Sequence, residues 1–429
     1  MRRCLFVLVA ACGGSSSSPP DAPAPVVPTA NPAREIDDTR LAFDVSALSG
    51  TASITFAGSD AVGATLEVGD LQLDSVQLAG ADLDYTADAT AKTIDLALAP
   101  SSDPLTVDIA FHYKTHTGFA GASAAGYTFL WPYFCGNLFP CHSRPDDGMT
   151  MTLDVTGVPA GKTAVFPQAI AEAPSYQLAW SIDDYTELPL GTTTAGTQVS
   201  VWYRPNELTA AMTGTQNLVA VFDWYEKTIG PYRFGGKVGT ISVKWGPGAY
   251  GGMEHHPLWH VSSSSLGSQE TNAHEAAHGW FGDGIRIECW EDFVLSEGTV
   301  SYLAARSLDV VAPSVGAATW QSYTTELNGI PGTDLVWPQS CGAVDILKDN
   351  LFTNAPYMRG AFFYRAVAEK TSPELVDQAL AAFYAAHAGK PAHMADMLDT
   401  LKTVTGYDPT ACAAMWLTSQ TTPVPGPCP

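Results

Sequence analysis

The segment TNAHEAAHGWFGD, residues 271–283, contains residues whose types and spacing could do chemistry. His274 and His278 are four residues apart, so on a helix their imidazoles stand one turn apart on the same face. That separation lets both rings reach one zinc ion at about 2.0–2.1 Å. Glu275, next to the first histidine, points toward the same cleft and can act as general base on a metal-bound water. The alternative is an alanine-rich helix that carries these polar residues by chance.

A third metal ligand is expected further along the chain. A catalytic zinc usually takes three protein ligands and leaves the fourth position for water. The stretch CWEDFVLSEGTVSYLAARSL, residues 289–308, begins with polar residues and continues as an amphipathic helix with Glu297 on its inner face. Eighteen residues separate His278 from Glu297.

Four motifs resemble those of the membrane alanyl aminopeptidase-like family of gluzincin zinc metallopeptidases. HEAAHGWFGD, in which the second histidine is separated by eighteen residues from the glutamate of SEG, is similar to the family's zinc-site pattern. YGGMEHHP (250–257) resembles its G-x-M-E-N strand, and PYMRGAFFYRAV (356–367) resembles its Y-x-[K/R]-G helix. FPCHSRPDDGMTMTLDVTGVPAGKTAV (139–165) resembles the segment of its β-domain that begins F-P-C. The motifs occur in the family's order, and the resemblance runs from about residue 40 to about residue 420.

The resemblance implies a catalytic role for each matching residue. His274, His278 and Glu297 would bind one Zn²⁺ per chain. Glu275 would take a proton from the zinc-bound water and later pass it to the leaving amine. Tyr357 would donate a hydrogen bond to the oxyanion of the tetrahedral intermediate.

The resemblance also implies how a peptide would bind. Glu254 would hold the substrate's free α-amine by a charge-assisted hydrogen bond. An edge strand that carries Gly251, Gly252 and Met253 would pair with the substrate backbone, where glycines permit close approach.

The chain departs from the family at the amine site. His255 stands where the family has the asparagine of G-x-M-E-N, and Ser143 replaces an aspartate of the β-domain motif. Trp131 stands near the place where many members supply a second amine-binding glutamate or glutamine, so Glu254 would hold the amine alone. The histidines after Glu254 are expected to line the cleft or to be hydrogen-bonded, rather than to bind a second metal: His255, His256 and His260.

The elements that must position these residues fall into two regions. Apolar and polar residues alternate from about 41 to 204, a pattern typical of half-buried strands. Helical spacing dominates after Pro205. We therefore predict an α+β fold of two domains. An N-terminal antiparallel β-rich domain, sandwich or saddle-like, would span 35–204, and a thermolysin-like, mainly helical zinc-peptidase domain would span 205–429. No C-terminal helical repeat domain is expected, so the cleft should be more open than in many relatives.

The first residues predict export. MRRCLFVLVAAC, residues 1–12, resembles a bacterial lipoprotein signal peptide whose lipobox ends at Cys12. A Gly/Ser/Pro-rich stretch at 13–34 should form a flexible tether. We therefore expect an exported lipoprotein, held by its lipid anchor and facing the periplasm or the cell exterior. It would be secreted if the lipobox is not used.

Composition limits the partners. The 429 residues carry a net charge of −23, from 44 acidic and 21 basic residues. Nucleic acid is an improbable partner, because phosphate contacts need clustered lysine and arginine. Of the eight cysteines, Cys4 lies in the predicted signal peptide and Cys12 in the lipobox, which leaves six. An even number in an exported chain indicates disulfides, and although six allow fifteen pairings, proximity favours three pairs. These are Cys135–Cys141, Cys289–Cys341 and Cys412–Cys428.

Taken together, these features predict a zinc metallopeptidase that acts on peptides or proteins with a free N-terminus. The most direct interpretation is an aminopeptidase. Two alternatives stay open: an endopeptidase or other zinc hydrolase with an open cleft, and a binding protein with a vestigial zinc site. The oligomeric state is not predicted.

Overall fold

The computed structural model describes residues 26–246, 251–346 and 348–429. The predicted signal peptide, Cys12 and most of the tether lie outside the described residues, so these remain predictions. Among the residues that are described, strands dominate the first half of the chain and helices the second. No helix in these ranges is both long and apolar enough to span a membrane.

The strands of the first half are short and regular. In chain order they are β1 (Ile36–Asp44), β2 (Ser49–Phe56), β3 (Ala64–Glu67), β4 (Gln72–Leu78), β5 (Ala81–Asp82), β6 (Tyr85–Asp88), β7 (Thr93–Leu96), β8 (Leu105–His112), β9 (Thr115–His116), β10 (Gly121–Ser123), β11 (Thr128–Phe129), β12 (Met149–Thr156), β13 (Thr163–Val165), β14 (Ala169–Ala173) and β15 (Ser181–Asp183).

The largest sheet of this half has seven strands in the order β14-β12-β1-β2-β8-β4-β5. Its strands are antiparallel except that β1 and β12 run parallel. Along β8, alternate residues are buried, which is the period-two pattern seen in the sequence. One face of the sheet, including Phe43, Ile54 and Phe111, packs into the core.

The last residues of the predicted tether bind to the β-domain, although the sequence predicts a flexible segment. Arg34 is 2% exposed, and its Nη1 donates hydrogen bonds to the carbonyl oxygens of Ala61 and Gly63 at 3.2 Å. The backbone N–H of Asn31 donates to Thr65 Oγ1 at 2.9 Å. These local polar contacts, which composition does not reveal, attach the last residues of the stretch to the β-domain.

The second half begins with strands and continues with helices. The strands are β16 (Thr186–Thr192), β17 (Gln198–Tyr203), β18 (Lys237–Val243), β19 (Gly252–Met253), β20 (Leu258–Ser262), β21 (Arg286–Ile287) and β22 (Pro391–Ala392). The helices are α1 (Leu208–Gly214), α2 (Leu218–Thr228), α3 (Gln269–Ala277), α4 (Phe293–Val311), α5 (Pro313–Leu327), α6 (Asn354–Lys370), α7 (Pro373–His387), α8 (Met394–Thr405) and α9 (Thr410–Ala413).

The sheet of the second half has five strands in the order β16-β17-β18-β20-β19. β17 and β18 pair in parallel with Val201 opposite Thr240, so the predicted division at residue 204 separates two neighbouring strands of one sheet. An alternating pattern shows that a segment is a strand but not which partner it takes. β19 lies at the sheet edge, next to α3, as the sequence predicts for Gly252 and Met253.

Helices α4 and α6 meet through two glycines, one on each helix. A Cβ added at Gly360 would lie 2.4 Å from the Cα of Gly298, and one added at Gly298 would lie 2.7 Å from the Cα of Gly360. The backbones therefore touch directly, without side chains between them. Glu297 precedes the first glycine and Tyr357 lies one turn before the second, so this contact sets the distance between them.

The glycine contact makes a stability prediction. Gly360→Ala should lower the free energy of unfolding by about 1–3 kcal/mol, because the new methyl group must push the two helices apart. Alanine has a higher helix propensity than glycine, so propensity alone would raise the stability, and a loss of stability has to come from the close contact. Urea denaturation would measure the change. Gly236→Ala is the matched control, since a Cβ there meets no atom within 4 Å. Equal stability of the two variants would contradict the close contact.

Among the described residues there are three disulfides: Cys135–Cys141, Cys289–Cys341 and Cys412–Cys428. They are the pairs favoured by proximity in the sequence. The Cys289–Cys341 bridge links residues 52 apart and attaches the segment between α5 and α6 to the chain just before α4. The Glu291 carboxylate adds hydrogen bonds from the backbone N–H groups of Ala343 and Val344, at 2.7 and 3.1 Å. We call residues 328–353 the rim segment, because its last residues line the cleft described below.

Candidate metal centre

Three side chains from two helices converge at one point. His274 and His278 lie one turn apart at the end of α3, and their Nε2 atoms are 3.3 Å from each other. Glu297 projects from α4, and its Oε2 lies 3.1 Å from His274 Nε2 and 3.4 Å from His278 Nε2. The three atoms thus form a nearly equilateral triangle. The structure brings together the three residues predicted as metal ligands.

The triangle has the size that zinc requires. Ligands at about 2.0–2.1 Å from a tetrahedral zinc are roughly 3.3–3.4 Å from one another, close to the separations found here. His278 Nδ1 lies 3.0 Å from the carbonyl oxygen of Phe281, to which it donates, so the lone pair of Nε2 faces the centre of the triangle. Two imidazoles and a carboxylate suit zinc, and the residues therefore fit the ion.

The helix that carries the histidines ends close to the second of them. Its last residue is Ala277, although the backbone of His278 is still helical. Gly279 follows, and Gly282 has a φ of 103°, which an L-residue adopts only with strain. The Oγ of Ser268 accepts a hydrogen bond from the Thr271 N–H and caps the start of the helix.

Buried carboxylates crowd the centre. Burial raises the pKa of Glu275 well above its usual value, and the nearby Glu254 and Glu297 add to this shift. Burial acts in the same direction on Glu297 and is the largest single effect, but the charges and hydrogen bonds of His278 and His274 together outweigh it and lower the pKa of Glu297 to about 2. Ligand atoms of Glu254, Glu275 and His278 lie within 4.8 Å of one another. A divalent cation here would offset this excess of negative charge.

Glu275 lies directly against the edge strand. A Cβ added at Gly252 would be 2.1 Å from Glu275 Oε1, so only glycine leaves room for the carboxylate at this position. Glu275 is 4% exposed and lines the cleft beside the metal triangle. The carboxylate is therefore held between β19 and the candidate ligands.

Glu254 follows the edge strand and faces the same cleft. It is 4% exposed, and among the described residues its Oε1 has no hydrogen-bond partner. Tyr176 is buried beside it, and burial together with the Glu254 charge raises the pKa of that tyrosine well above its usual value. A buried carboxylate oxygen without a partner can accept a hydrogen bond from a ligand.

Tyr357 reaches the centre from α6. Its ring is stacked on that of His274, with centroids 5.9 Å apart and an interplanar angle of 18°. Phe293 contacts it edge to face at 5.7 Å. These two ring contacts hold the tyrosine at the cleft beside the metal triangle.

The site lies in a cleft of about 670 Å³. Residues from β19, α3, α4, α5 and the start of α6 line it. In chain order they are Trp131, Gly251, Gly252, Met253, Glu254, Ser268, Gln269, Glu270, Thr271, His274, Glu275, His278, Glu297, Ser301, Val315, Ala318, Thr319, Ser322, Tyr323, Glu326, Phe352, Thr353, Asn354, Tyr357 and Met358. All predicted catalytic, ligand and substrate-binding residues are in this set.

Trp131 is the contribution of the β-domain to this cleft. Its ring contacts Tyr176 at 4.7 Å and Phe352 at 5.4 Å between centroids. Of the described residues that line the cleft, the acidic ones all come from the second half of the chain. An aromatic wall therefore stands where the family pattern leads one to expect a second amine-binding side chain.

Sequence reasoning missed how α3 is held in place. His256 is buried, with Nε2 2.7 Å from the Glu275 carbonyl oxygen and Nδ1 2.8 Å from the Tyr232 hydroxyl. Burial lowers the pKa of His256 to about 3, so the ring is neutral, with Nε2–H donating and Nδ1 accepting. His255 and His260 contact each other instead, with ring centroids 4.7 Å apart. The adjacent histidines after Glu254 were the only sign of this contact in the sequence. The sequence does not show which residues they bond, because Tyr232 and Glu275 are about twenty residues away from His256.

Comparison with protein families identifies the second half of the chain. Residues 253–416 match the sequence model of the Peptidase family M1 domain. Leucine aminopeptidase 2 of Neurospora crassa is 25% identical over 292 residues, which cover 62% of this chain and 43% of that protein. Aminopeptidase N of Oryctolagus cuniculus is 24% identical over 292 residues, which cover 57% of this chain and 29% of that protein. The matches thus span less than half the length of these relatives.

Solved structures share the fold of nearly the whole chain. An M1 zinc metallopeptidase variant from Deinococcus radiodurans, bound to a Tyr-Ser-Ala substrate, matches with a TM-score of 0.77 and 18% identity. The match covers 92% of this chain and 96% of that one. The predicted α+β fold, with a β-rich first part and a helical second part, is confirmed. The resemblance to the gluzincin aminopeptidase family is confirmed as well.

Proposed function

We propose that this chain, which carries a Peptidase family M1 domain, is a zinc-dependent metallopeptidase that removes N-terminal residues from peptides. The main support is one arrangement: a zinc-sized triangle of His274, His278 and Glu297 shares a cleft with Glu275 and Glu254. A structural metal site needs no further carboxylate beside it. A hydrolytic site needs a general base, and we assign that role to Glu275.

The residues around the metal divide the chemistry between them. Bound zinc would supply a Lewis acid for the scissile carbonyl and lower the pKa of water. Glu275 would take a proton from the attacking water and pass it to the leaving amine, and its buried position favours proton uptake. Tyr357 would donate a hydrogen bond to the oxygen on which negative charge develops.

The position of Glu254 favours cleavage at the N-terminus. Its carboxylate lies within 4.8 Å of ligand atoms of Glu275 and His278. A substrate ammonium bound there would place the first peptide bond at the reacting groups, because one residue spans only about 3.3–3.6 Å. The edge strand β19 would pair with the substrate backbone.

A digest of one peptide in two forms tests this proposal. The full chain would receive the peptide with a free N-terminus or an acetylated one, each with and without a zinc chelator. We expect stepwise loss of N-terminal residues from the free form only, stopped by the chelator and followed by mass spectrometry. If the zinc-loaded chain cleaved neither form of the peptide, the result would contradict peptidase activity on such substrates.

An endopeptidase is the second candidate. Trp131 favours it, because an aromatic side chain stands where a second amine-binding group is expected, and Glu254 is the remaining acidic group for the amine. In the same digest, internal cuts in both forms of the peptide would identify this activity.

A further inference from the structure

The cleft continues past the metal centre to a second group of polar residues. Glu270 on α3 and Glu326 on α5 both line it. Glu270 lies one helical turn before His274, a rise of about 6 Å, on the same face of α3. Glu254 is grouped instead with Glu275 and His278, which both follow His274 at the end of α3. The two acidic ends of the cleft therefore lie on either side of the metal triangle.

The two carboxylates have neutral partners. The Tyr323 hydroxyl donates to Glu270 Oε1 at 2.7 Å, and the Asn354 amide donates to Glu326 Oε2 at 3.3 Å. Ser322 also donates to Glu326, at 3.3 Å. In the described part of the chain, neither glutamate forms an ion pair with a lysine or arginine. Their negative charge is thus held in place by hydrogen bonds but is not neutralised.

The charges of the two carboxylates act on each other. Burial raises the pKa of Glu326, and the Glu270 charge raises it further. Both side chains are partly buried, where the attraction of a cation is screened less than at the open surface. A positively charged group between them would relieve this repulsion.

A buried hydroxyl provides an independent indication of a ligand. Ser301 is 0% exposed, lines the cleft, and its Oγ has no hydrogen-bond partner among the described residues. Helices α3 and α4 run antiparallel at this point. At the end of α3, His278 lies 3.5 Å from Ser296, near the start of α4. Nearer the start of α3, the Tyr225 hydroxyl bonds both the Ala273 carbonyl oxygen and Ser307, near the end of α4. Ser301, one turn after Glu297, therefore lies alongside the turn that carries Glu270.

We propose that Glu270 and Glu326 form a subsite for a lysine or arginine side chain that immediately follows the scissile bond. If the first residue is held at Glu254, the rest of the peptide leaves past His274 toward Glu270. A lysine side chain, about 6 Å long, matches the one-turn distance from the metal centre. Ser301 would accept a hydrogen bond from the cation, and the two carboxylates would neutralise it. The inference rests on the proposed function for the direction of the peptide.

Peptide binding tests the subsite without requiring turnover. Zinc-loaded Glu275→Gln would be titrated by calorimetry with Leu-Lys-Ala and with Leu-Met-Ala, which has a side chain of similar length and no charge. We expect the lysine peptide to bind about tenfold more tightly. Adding Glu270→Gln should reduce the ratio to about twofold, because glutamine keeps the size and the acceptor oxygen but removes the charge. Adding Asp399→Asn, which removes one exposed carboxylate on α8, should leave it at about tenfold.

The outcomes separate this inference from the proposed function. Equal affinity for both peptides would overturn the subsite. The subsite would also be overturned if Asp399→Asn lowered the affinity ratio as much as Glu270→Gln, because the preference would then come from the overall negative charge of the chain. Hydrolysis of both peptides by the unmodified chain would in either case uphold the peptidase. A tenfold preference in binding without hydrolysis would support the subsite and contradict the peptidase.

Discussion

Glu275→Gln should lower kcat by about 10²–10⁴-fold while zinc remains bound at about one ion per chain. Glutamine has nearly the same shape, so it fits beside Gly252, but it cannot take a proton from water. The three proposed ligands, His274, His278 and Glu297, are untouched, and the triangle that they form does not depend on residue 275. Initial rates on a peptide with a free N-terminus would give kcat, and elemental analysis of the purified chain would give the zinc content.

Asp399→Asn serves as the control, because it also removes one carboxylate but lies on the exposed side of α8. Its kcat and zinc content should equal those of the unmodified chain. Unchanged activity in Glu275→Gln would rule out the general-base role. Loss of zinc together with activity would mean that Glu275 is a ligand, and the assignment of Glu297 would then have to be revised.

Tyr357→Phe should lower kcat by about 10²–10³-fold with little change in KM. The phenylalanine keeps the ring contacts with His274 and Phe293, so the cleft wall stays in place. The change removes the hydroxyl that would donate to the developing oxyanion. Because this hydrogen bond is stronger in the transition state than in the bound substrate, the loss appears in kcat rather than in KM.

Tyr364→Phe is a matched control on the same helix. Its hydroxyl is paired with Thr299 at 2.8 Å inside the core, away from the cleft. The loss of that hydrogen bond should cost about 1 kcal/mol of stability and leave kcat unchanged. A similar fall of kcat in both variants would show that the helix as a whole, and not the Tyr357 hydroxyl, affects the rate.

The metal centre was the most predictable part of the structure. The i, i+4 spacing of His274 and His278 is a property of one helix, and a helix is a local structure. The position of Glu297 followed from its place on the next amphipathic helix and from the family resemblance. The edge strand at Gly252 was predicted from the same resemblance. Local periodicity and a specific motif thus defined one side of the cleft.

The opposite side of the cleft was not predicted. The helix α5, Pro313–Leu327, has few large apolar residues, so its sequence does not indicate which face is buried. Glu326 is brought to Glu270 by this helix, across 56 residues of sequence. The membership of β16 and β17 in the second sheet and the attachment of Arg34 also depend on contacts between distant segments. Alternation and composition describe a segment but carry no information on its partners.

The disulfide between Cys289 and Cys341 should affect peptide binding more than the chemical step. The proposed metal ligands lie on α3 and α4, which pack against each other, whereas the described residues of the rim segment form no helix or strand. The covalent link reduces the number of conformations that the rim can adopt before a peptide arrives. Less freedom is then lost on binding, which raises affinity without adding a contact. If peptides bind in the proposed cleft, the oxidation state of two sulfur atoms outside the cleft lining would therefore set part of the entropy of that binding.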